Sequence, residues 1–388
     1  MRLKALFVAL LLVLATGPAL AIGGAGAQPT GIEAGEHSLS AAQVDLDCEY
    51  EIEVEDEMGE TVTIDEEPET IVVLAPSAAQ HVWEIGAQEK VIGMPVNQYT
   101  EYLEGSEERE HVLTEGDQGF DIPDNEKIVD LDPDLVLSPN VTPEDAVTEL
   151  RDSGLTVYHY PLAGSFDDVM DLVERTGQLV GDCESAGAVT DEMAETIDLV
   201  ETAVADEDHP RVFYDFGYGT ADDAPYSINS EAFEHEVLEK AGAENIAGDI
   251  EAEFGGAYPQ VSTEVILSEE PEWIITPGEV LSDFPGYDET PAMENDQVLF
   301  VNGNYISQHA PRTVWVLEEI AEELHPEAMA EARGELTDEN GEEESDTEAD
   351  DADGEVDDAD ADDDGPGLTV GAAVAALVAI AMIALRRE

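Results

Sequence analysis

Eight histidines are spread along the chain, at His37, His81, His111, His159, His209, His235, His309 and His325. No two have the tight helical spacing of a zinc motif. A metal or haem set would have to be assembled by the fold, most readily from His81, His159 and His309 with a tyrosine. No glycine-rich phosphate loop follows a strand-like run, and Gly-Xaa-Ser-Xaa-Gly is absent. Asp and Glu total 94, so an acidic pair says nothing about acid–base chemistry. Cys48 and Cys183 can form one disulfide in an exported chain. Asn140-Val141-Thr142 is a glycosylation sequon, followed by Pro143. These residue types favour a protein that binds over one that catalyses, with no metal and no cofactor of its own.

The formal net charge is −81 over 388 residues, and setting aside the acids of 335–364 still leaves −63. Such a surface repels phosphate backbones, which excludes nucleic acid as a partner. A 43% hydrophobic share argues for a folded body. A carboxylate coat on a folded body keeps a protein hydrated in molar salt, where the Debye length is about 3 Å and self-repulsion is screened. The composition is that of a halophile.

The ends of the chain carry export signals. Met1–Ala27 reads as a secretory signal: Arg2 and Lys4, an apolar core from Ala5 to Leu14, then small residues at Ala19-Leu20-Ala21 or Ala25-Gly26-Ala27. At the other end an acidic run, 336–364, reads as a disordered spacer. A membrane anchor follows at 365–388, with Gly365-Pro366-Gly367, an apolar stretch Leu368–Leu385 and Arg386-Arg387. Eighteen residues at 1.5 Å span roughly 27 Å, enough for a bilayer core, and the arginines place that end inside. This end resembles the sorting signal of haloarchaeal surface proteins, with Leu368 in place of the usual Phe. The body is therefore expected outside the cell, anchored to the outer face of the membrane.

Between these ends the pattern is α/β. Tyr50–Val54 and Thr61–Ile64 predict a hairpin about Met58-Gly59, within an N-terminal extension, 28–68. Apolar runs at Ile71–Ala75, Val91–Met94, Leu135–Ser138 and Val157–Tyr160 alternate with helical segments near Ala78–Ile85 and Pro143–Ser153. A second set follows, with strands Val212–Phe216, Trp273–Thr276 and Val298–Val301 and helices Ser230–Ala241 and Pro311–Leu324. Alternation of this kind predicts parallel sheets with crossover helices. Phe166–Val180 and Glu184–Val204 are amphipathic at helical period, the second with Val189, Met193, Ile197, Val200 and Val204 on one face. The reading is two Rossmann-like lobes, 69–182 and 210–335, joined by a long rigid α-helix within 183–209, with a ligand cleft between the lobes.

Particular residues carry a resemblance. Val72-Val73-Leu74-Ala75-Pro76-Ser77 followed by Trp83-Glu84-Ile85-Gly86-Ala87, and Asn125-Glu126-Lys127-Ile128-Val129-Asp130-Leu131-Asp132-Pro133-Asp134-Leu135-Val136, resemble the first lobe of helical-backbone substrate-binding proteins of ABC importers. Tyr258-Pro259-Gln260-Val261-Ser262-Thr263-Glu264 and Val237–Ile246 are similar to the cobalamin-binding branch of that family. The resemblance covers roughly Thr61 to Glu327. It implies capture of cobalamin or a related corrinoid outside the cell and delivery to a permease–ATPase pair, with no enzymatic step; the alternative cargo is a ferric siderophore or haem. It implies a ligand site at Pro76, Tyr99, Phe216, Tyr226, Tyr258, Tyr305, Ser307 and Gln308, the last two standing where the branch has a charged pair. Glu126 and Glu264 are the implied permease-docking residues. Tyr158, Tyr160 and Tyr214 sit within predicted strands.

Overall fold

The computed structural model describes residues 48–343, apart from 117–119, 218, 220–223 and 253–255. The signal segment, most of the acidic spacer and the apolar stretch Leu368–Leu385 lie outside the described residues. Among the described residues no helix is long and apolar enough to cross a membrane.

The hairpin forms as its alternation dictates. Strand β1 (Ile52–Glu55) pairs antiparallel with β2 (Thr61–Ile64), Ile52 opposite Ile64 and Val54 opposite Val62, and these four side chains are buried. The turn needs a left-handed residue, supplied by Gly59 at φ 75°. Asp56 closes it, accepting from the backbone N–H groups of Met58 and Glu60 at 3.0 and 3.1 Å. The same carboxylate accepts from the His159 N–H at 3.2 Å and pairs with Arg151, so the hairpin is fastened to the edge of the first sheet. Its leading end is tied down by a Cys48–Cys183 disulfide with Cα atoms 6.0 Å apart, the pairing the two cysteines offered.

The first lobe contains helix α1 (Pro76–Glu84) and strands β3 (Ile71–Val73), β4 (Val91–Met94), β5 (Glu110–His111), β6 (Leu113–Glu115) and β7 (Asp121–Pro123), then α2 (Asn125–Leu131), β8 (Leu135–Ser138), α3 (Glu144–Asp152) and β9 (Val157–His159). Its sheet runs β5-β4-β3-β8-β9, parallel throughout, and β6 and β7 form a separate antiparallel pair. The second lobe has β10 (Arg211–Tyr214), α6 (Phe233–Lys240), β11 (Glu244–Asn245), α7 (Thr263–Glu269), β12 (Trp273–Thr276), α8 (Pro291–Glu294), β13 (Val298–Phe300), α9 (Gly303–Ile306) and α10 (Thr313–Leu324), with a parallel sheet β11-β10-β12-β13. The central strands β3 and β8 are buried at every residue, the signature of parallel strands covered on both faces.

Two helices lie between the sheets in sequence. Helix α4 (Phe166–Val180) is capped by the Ser165 hydroxyl, which accepts from Asp168 N–H, and ends on Gly181 at φ 87°. Helix α5 (Cys183–Val204) starts at once, with Asp182 accepting from Ser185 N–H. The two pack so closely that a Cβ on Gly177 would lie 2.3 Å from the Ala186 Cβ, so only glycine fits there. The buried face of α5 is Ala186, Thr190, Met193, Ile197, Val200 and Val204, a 4-3-4-3-4 spacing along one side. Thr190 takes the buried position expected of Val189, which is half-buried.

One expectation needs correcting at the end of the second lobe. The sequence predicts Pro311–Leu324 as the last helix of a lobe ending at 335, with the disordered spacer over 336–364. Instead α11 (Pro326–Glu343) follows at once and runs past Asp338 into the acidic run. Pro326 starts it without cost, because a first helical residue needs no N–H partner, and Glu and Ala are good helix formers.

Candidate functional site

The two lobes meet through segments that follow the C-terminal ends of parallel strands, the edge where α/β sheets bind ligands. Asn304 on α9 donates to the Gln98 carbonyl at 3.3 Å. Gln308 Nε2 donates to the Tyr99 carbonyl at 2.9 Å, and its Oε1 accepts from the Tyr102 hydroxyl at 2.6 Å. Gln80 on α1 donates to Tyr102 at 2.7 Å and accepts the Arg312 N–H at 2.8 Å. Tyr305 packs edge-on against Tyr102 at 5.4 Å and Trp315 at 5.5 Å. The guanidinium of Arg312 sits within 5.0–5.5 Å of the rings of Tyr102, Tyr305 and Trp315 and pairs with Glu84. Burial lifts the Tyr102 hydroxyl to about 12, so it stays a neutral donor.

This network brings together three of the sequence-derived site residues, Tyr99, Tyr305 and Gln308. Phe216 and Tyr258 form a second group in the second lobe, their rings edge-on at 5.8 Å, with Phe216 also against Tyr214 at 5.2 Å. Tyr226 is bridged to Gln260 through its backbone, beside the segment of Tyr258. Pro76 occupies the first position of α1, whose N-terminus follows β3. Ser307 is exposed, and its N–H bonds to the Gly303 carbonyl. Tyr158 and Tyr160 are core residues, edge-on at 4.9 Å, and Tyr160 shares a hydrogen bond with Thr176 at 2.9 Å.

Sequence reasoning missed Gln80, Glu84 and Tyr102. The first two stand one helical turn apart on α1 and so share a face, but nothing local marks that face as a junction. It also missed three exposed aliphatic side chains just beyond strand ends: Val141 after β8, Leu162 after β9 and Val280 after β12, at 64, 61 and 65% exposure. Apolar side chains left in solvent at the ligand-binding edge of both sheets can cover an apolar ligand.

The docking candidates occupy equivalent places in a repeated unit. Glu126 and Glu264 are each the second residue of a seven-residue helix, α2 or α7. The caps are Asp124, accepting from Lys127 N–H, and Ser262, accepting from Val265 N–H. Each helix buries one isoleucine, Ile128 or Ile266. Each ends on a left-handed residue at φ 47°, Asp132 or Glu270, and then a proline. Asp134 and Glu272 next accept the N–H groups of Thr70 and Arg211 at 2.9 and 3.0 Å, where the neighbouring strand begins. Both glutamates are exposed. A surface cavity of about 480 Å³ adjoins Glu126, lined also by Asn125, Val129, Asp130, Glu149 and Asp152.

His81, His159 and His309 do not assemble as one set. His159 shares a hydrogen bond with Ser138 at 3.1 Å beside Asp56, away from His309, whose Nδ1 meets the Ala163 carbonyl at 2.8 Å. Among the described residues no three His, Cys, Asp or Glu side chains are grouped to hold a metal.

Comparison with known proteins agrees with this architecture. Residues 71–305 match the family described as periplasmic binding protein. A protein of Halobacterium salinarum named cobalamin-binding protein is 34% identical over 309 residues, spanning 76% of this chain and 80% of the relative. The crystal structure of the periplasmic vitamin B12 binding protein BtuF of Vibrio cholerae superposes with a TM-score of 0.53 at 24% identity, over 69% of this chain and 98% of that one. The crystal structure of the heme binding protein HmuT gives 0.57 at 17% identity, over 71% and 91%; at these identities the two structures speak to the fold. The two-lobed parallel α/β body, the match across both sheets and the close relative together place this chain in the periplasmic binding protein family, whose members bind solutes and are not enzymes.

Proposed function

We propose that this protein is the exported binding component of an ABC importer that captures cobalamin and related corrinoids and hands them to a membrane permease and its ATPase. The observation that carries this reading is the 34% identity to a relative named cobalamin-binding protein, across most of both chains. The interlobe residues support it. Tyr99, Phe216, Tyr258 and Tyr305 offer flat apolar surface suited to a large macrocycle, and Gln308 and Gln80 offer amide groups for a polar rim. The cation at this junction, Arg312, is engaged by Glu84, which leaves an anionic ferric chelate poorly served.

In this reading Glu126 and Glu264 dock the two lobes onto the permease, and α5 acts as a stiff connector. The segment Met1–Ala27 directs export, the acidic run tethers the body, and the C-terminal apolar stretch, or a lipid put in its place, holds it at the outer face of a haloarchaeal membrane.

Titration of the purified chain in molar salt tests the cargo. Cobalamin or cobinamide is expected to bind 1:1 and to raise the melting temperature. A response to haem or to a ferric siderophore, with none to corrinoids, would replace this reading with the alternative that the shared HmuT fold keeps in play.

A further inference from the structure

A buried carboxyl group ties together the segments that carry the second lobe's candidate ligand residues. Asp215 follows β10 directly and is 0% exposed. One carboxyl oxygen accepts the Gly217 N–H at 2.8 Å and the Ser282 hydroxyl at 2.6 Å. The other accepts the Ser282 N–H at 2.9 Å and the Tyr287 hydroxyl at 2.7 Å. All four donors are neutral groups, and together they fill the roughly four acceptor sites that a carboxylate has.

The fold does not ask for this residue. The first lobe repeats the same unit, with β3 beside β8 as β10 is beside β12. Val73 lies opposite Leu137 in one sheet and Tyr214 opposite Ile275 in the other. The next N–H along each strand bonds across, Leu74 to the Leu137 carbonyl at 3.0 Å and Asp215 to the Ile275 carbonyl at 2.9 Å. Leu74, 4% exposed, therefore holds in the first lobe the place that Asp215 holds in the second. Leucine fills such a place without desolvating a polar group, whereas a buried carboxyl is costly unless it is hydrogen-bonded.

The two lobes differ in what comes after the strand. Helix α1 begins at Pro76, straight after β3, while α6 begins only at Phe233. The chain that leaves β10 carries Phe216 and lies against the chain that leaves β12, which carries the exposed Val280. The approach is close. A Cβ on Gly217, at φ 76°, would lie 1.8 Å from the Val280 carbonyl oxygen. The Ser282 hydroxyl oxygen accepts the Gly219 N–H at 2.9 Å, and the Gly219 carbonyl accepts the Asp283 N–H at 2.8 Å. Asp215 bonds to both segments, through Gly217 and through Ser282.

We propose that Asp215 is a positioning residue, which fixes the segments of Phe216 and Val280 in their ligand-ready arrangement before a ligand arrives. The inference rests on the corrinoid reading, which puts both side chains in the ligand site. Pre-ordering of this kind raises the fraction of molecules ready to bind, and so the association rate, while the bound complex stays the same. The test follows cobinamide binding to the full chain in molar salt by stopped flow. Asp215→Asn keeps the shape but must turn its NH2 toward one of two backbone N–H groups, Gly217 or Ser282. It is expected to slow association about tenfold and to leave dissociation within about twofold of native. Tyr287→Phe removes one of the four donors and covers the case in which the asparagine impairs folding; it is expected to slow association about threefold in the same pattern. A merely structural carboxyl would lower the melting temperature and leave the association rate of the folded protein unchanged. Association within about twofold of native in every variant that folds, or weaker binding carried by faster dissociation, would overturn this inference and leave the cargo reading standing. Failure of the native chain to bind cobinamide would overturn the cargo reading and this inference with it.

Discussion

Arg312 Nε donates to Glu84 Oε1 at 2.6 Å, joining the start of the second lobe's α10 to the end of the first lobe's α1. Both side chains are about four-fifths buried, so the pair is shielded from the salt that erases exposed pairs beyond about 3 Å in molar solution. Three aromatic rings surround the guanidinium, which adds cation–π attraction. Arg312→Lys keeps the charge but loses the planar stacking. It is expected to lower stability by about 1–2 kcal/mol, measured by denaturant unfolding. A double-mutant cycle with Glu84→Gln should show coupling of at least about 0.5 kcal/mol even in molar salt; additive effects would mean the pair is not coupled.

The Cys48–Cys183 disulfide closes a loop with a sequence separation of 135. Chain entropy gives such a loop about 5 kcal/mol of stabilisation as an upper bound. Cys48→Ser with Cys183→Ser should therefore unfold at markedly lower denaturant, by about 2–5 kcal/mol. Ligand affinity in the still-folded protein should be unchanged, because both residues lie on the hairpin and α5 side of the molecule. Loss of affinity with intact folding would link the hairpin to the site.

His81 supplies a pH dependence of definite sign. Its folded pKa, about 4, is below the ordinary 6.5, so between those values the unfolded chain binds the extra proton. Its contribution is fully present above pH 6.5 and is lost as pH falls through about 4, by about 3 kcal/mol. Glu234, raised by burial, acts in the opposite sense, losing stability as pH rises above the ordinary carboxyl range. Unfolding free energies from pH 4 to 7 should rise less steeply in His81→Leu than in the native chain; identical slopes would show that His81 does not titrate as its burial demands.

Helix α5 contains no proline, and Gly187 lies within its second turn. Sharp bending needs a proline, a glycine pair or a bulge. Small-angle scattering with and without cobalamin should therefore differ little. A large compaction would show that α5 bends.

Replacing both Glu126 and Glu264 by Ala should leave ligand binding intact, because both are exposed on α2 and α7. If they meet permease arginines on docking, as the proposed role requires, uptake by cells should fall sharply, since leaving such a charge buried and unpaired costs about 2–5 kcal/mol. Normal uptake at normal expression would remove the docking assignment.

The elements themselves were legible in the sequence. Strands β4, β8 and β12 and helix α4 run over the residues their apolar patterns delimit, because parallel strands covered on both faces are apolar along most of their length and a packed helix must repeat its apolar face. The hairpin followed from strict alternation about one glycine. Of the residues that join the lobes, Tyr99, Tyr305 and Gln308 were singled out by the resemblance, but their partners were not legible. Gln80 and Glu84 read as an ordinary helix surface, and Tyr102 and Gln308 lie 206 residues apart; nothing local marks them as partners. Periodicity records which face of an element is buried, since that depends on neighbours within a turn or a strand. Which polar atoms are left facing one another across two lobes depends on how those lobes dock, and only the tertiary structure decided that.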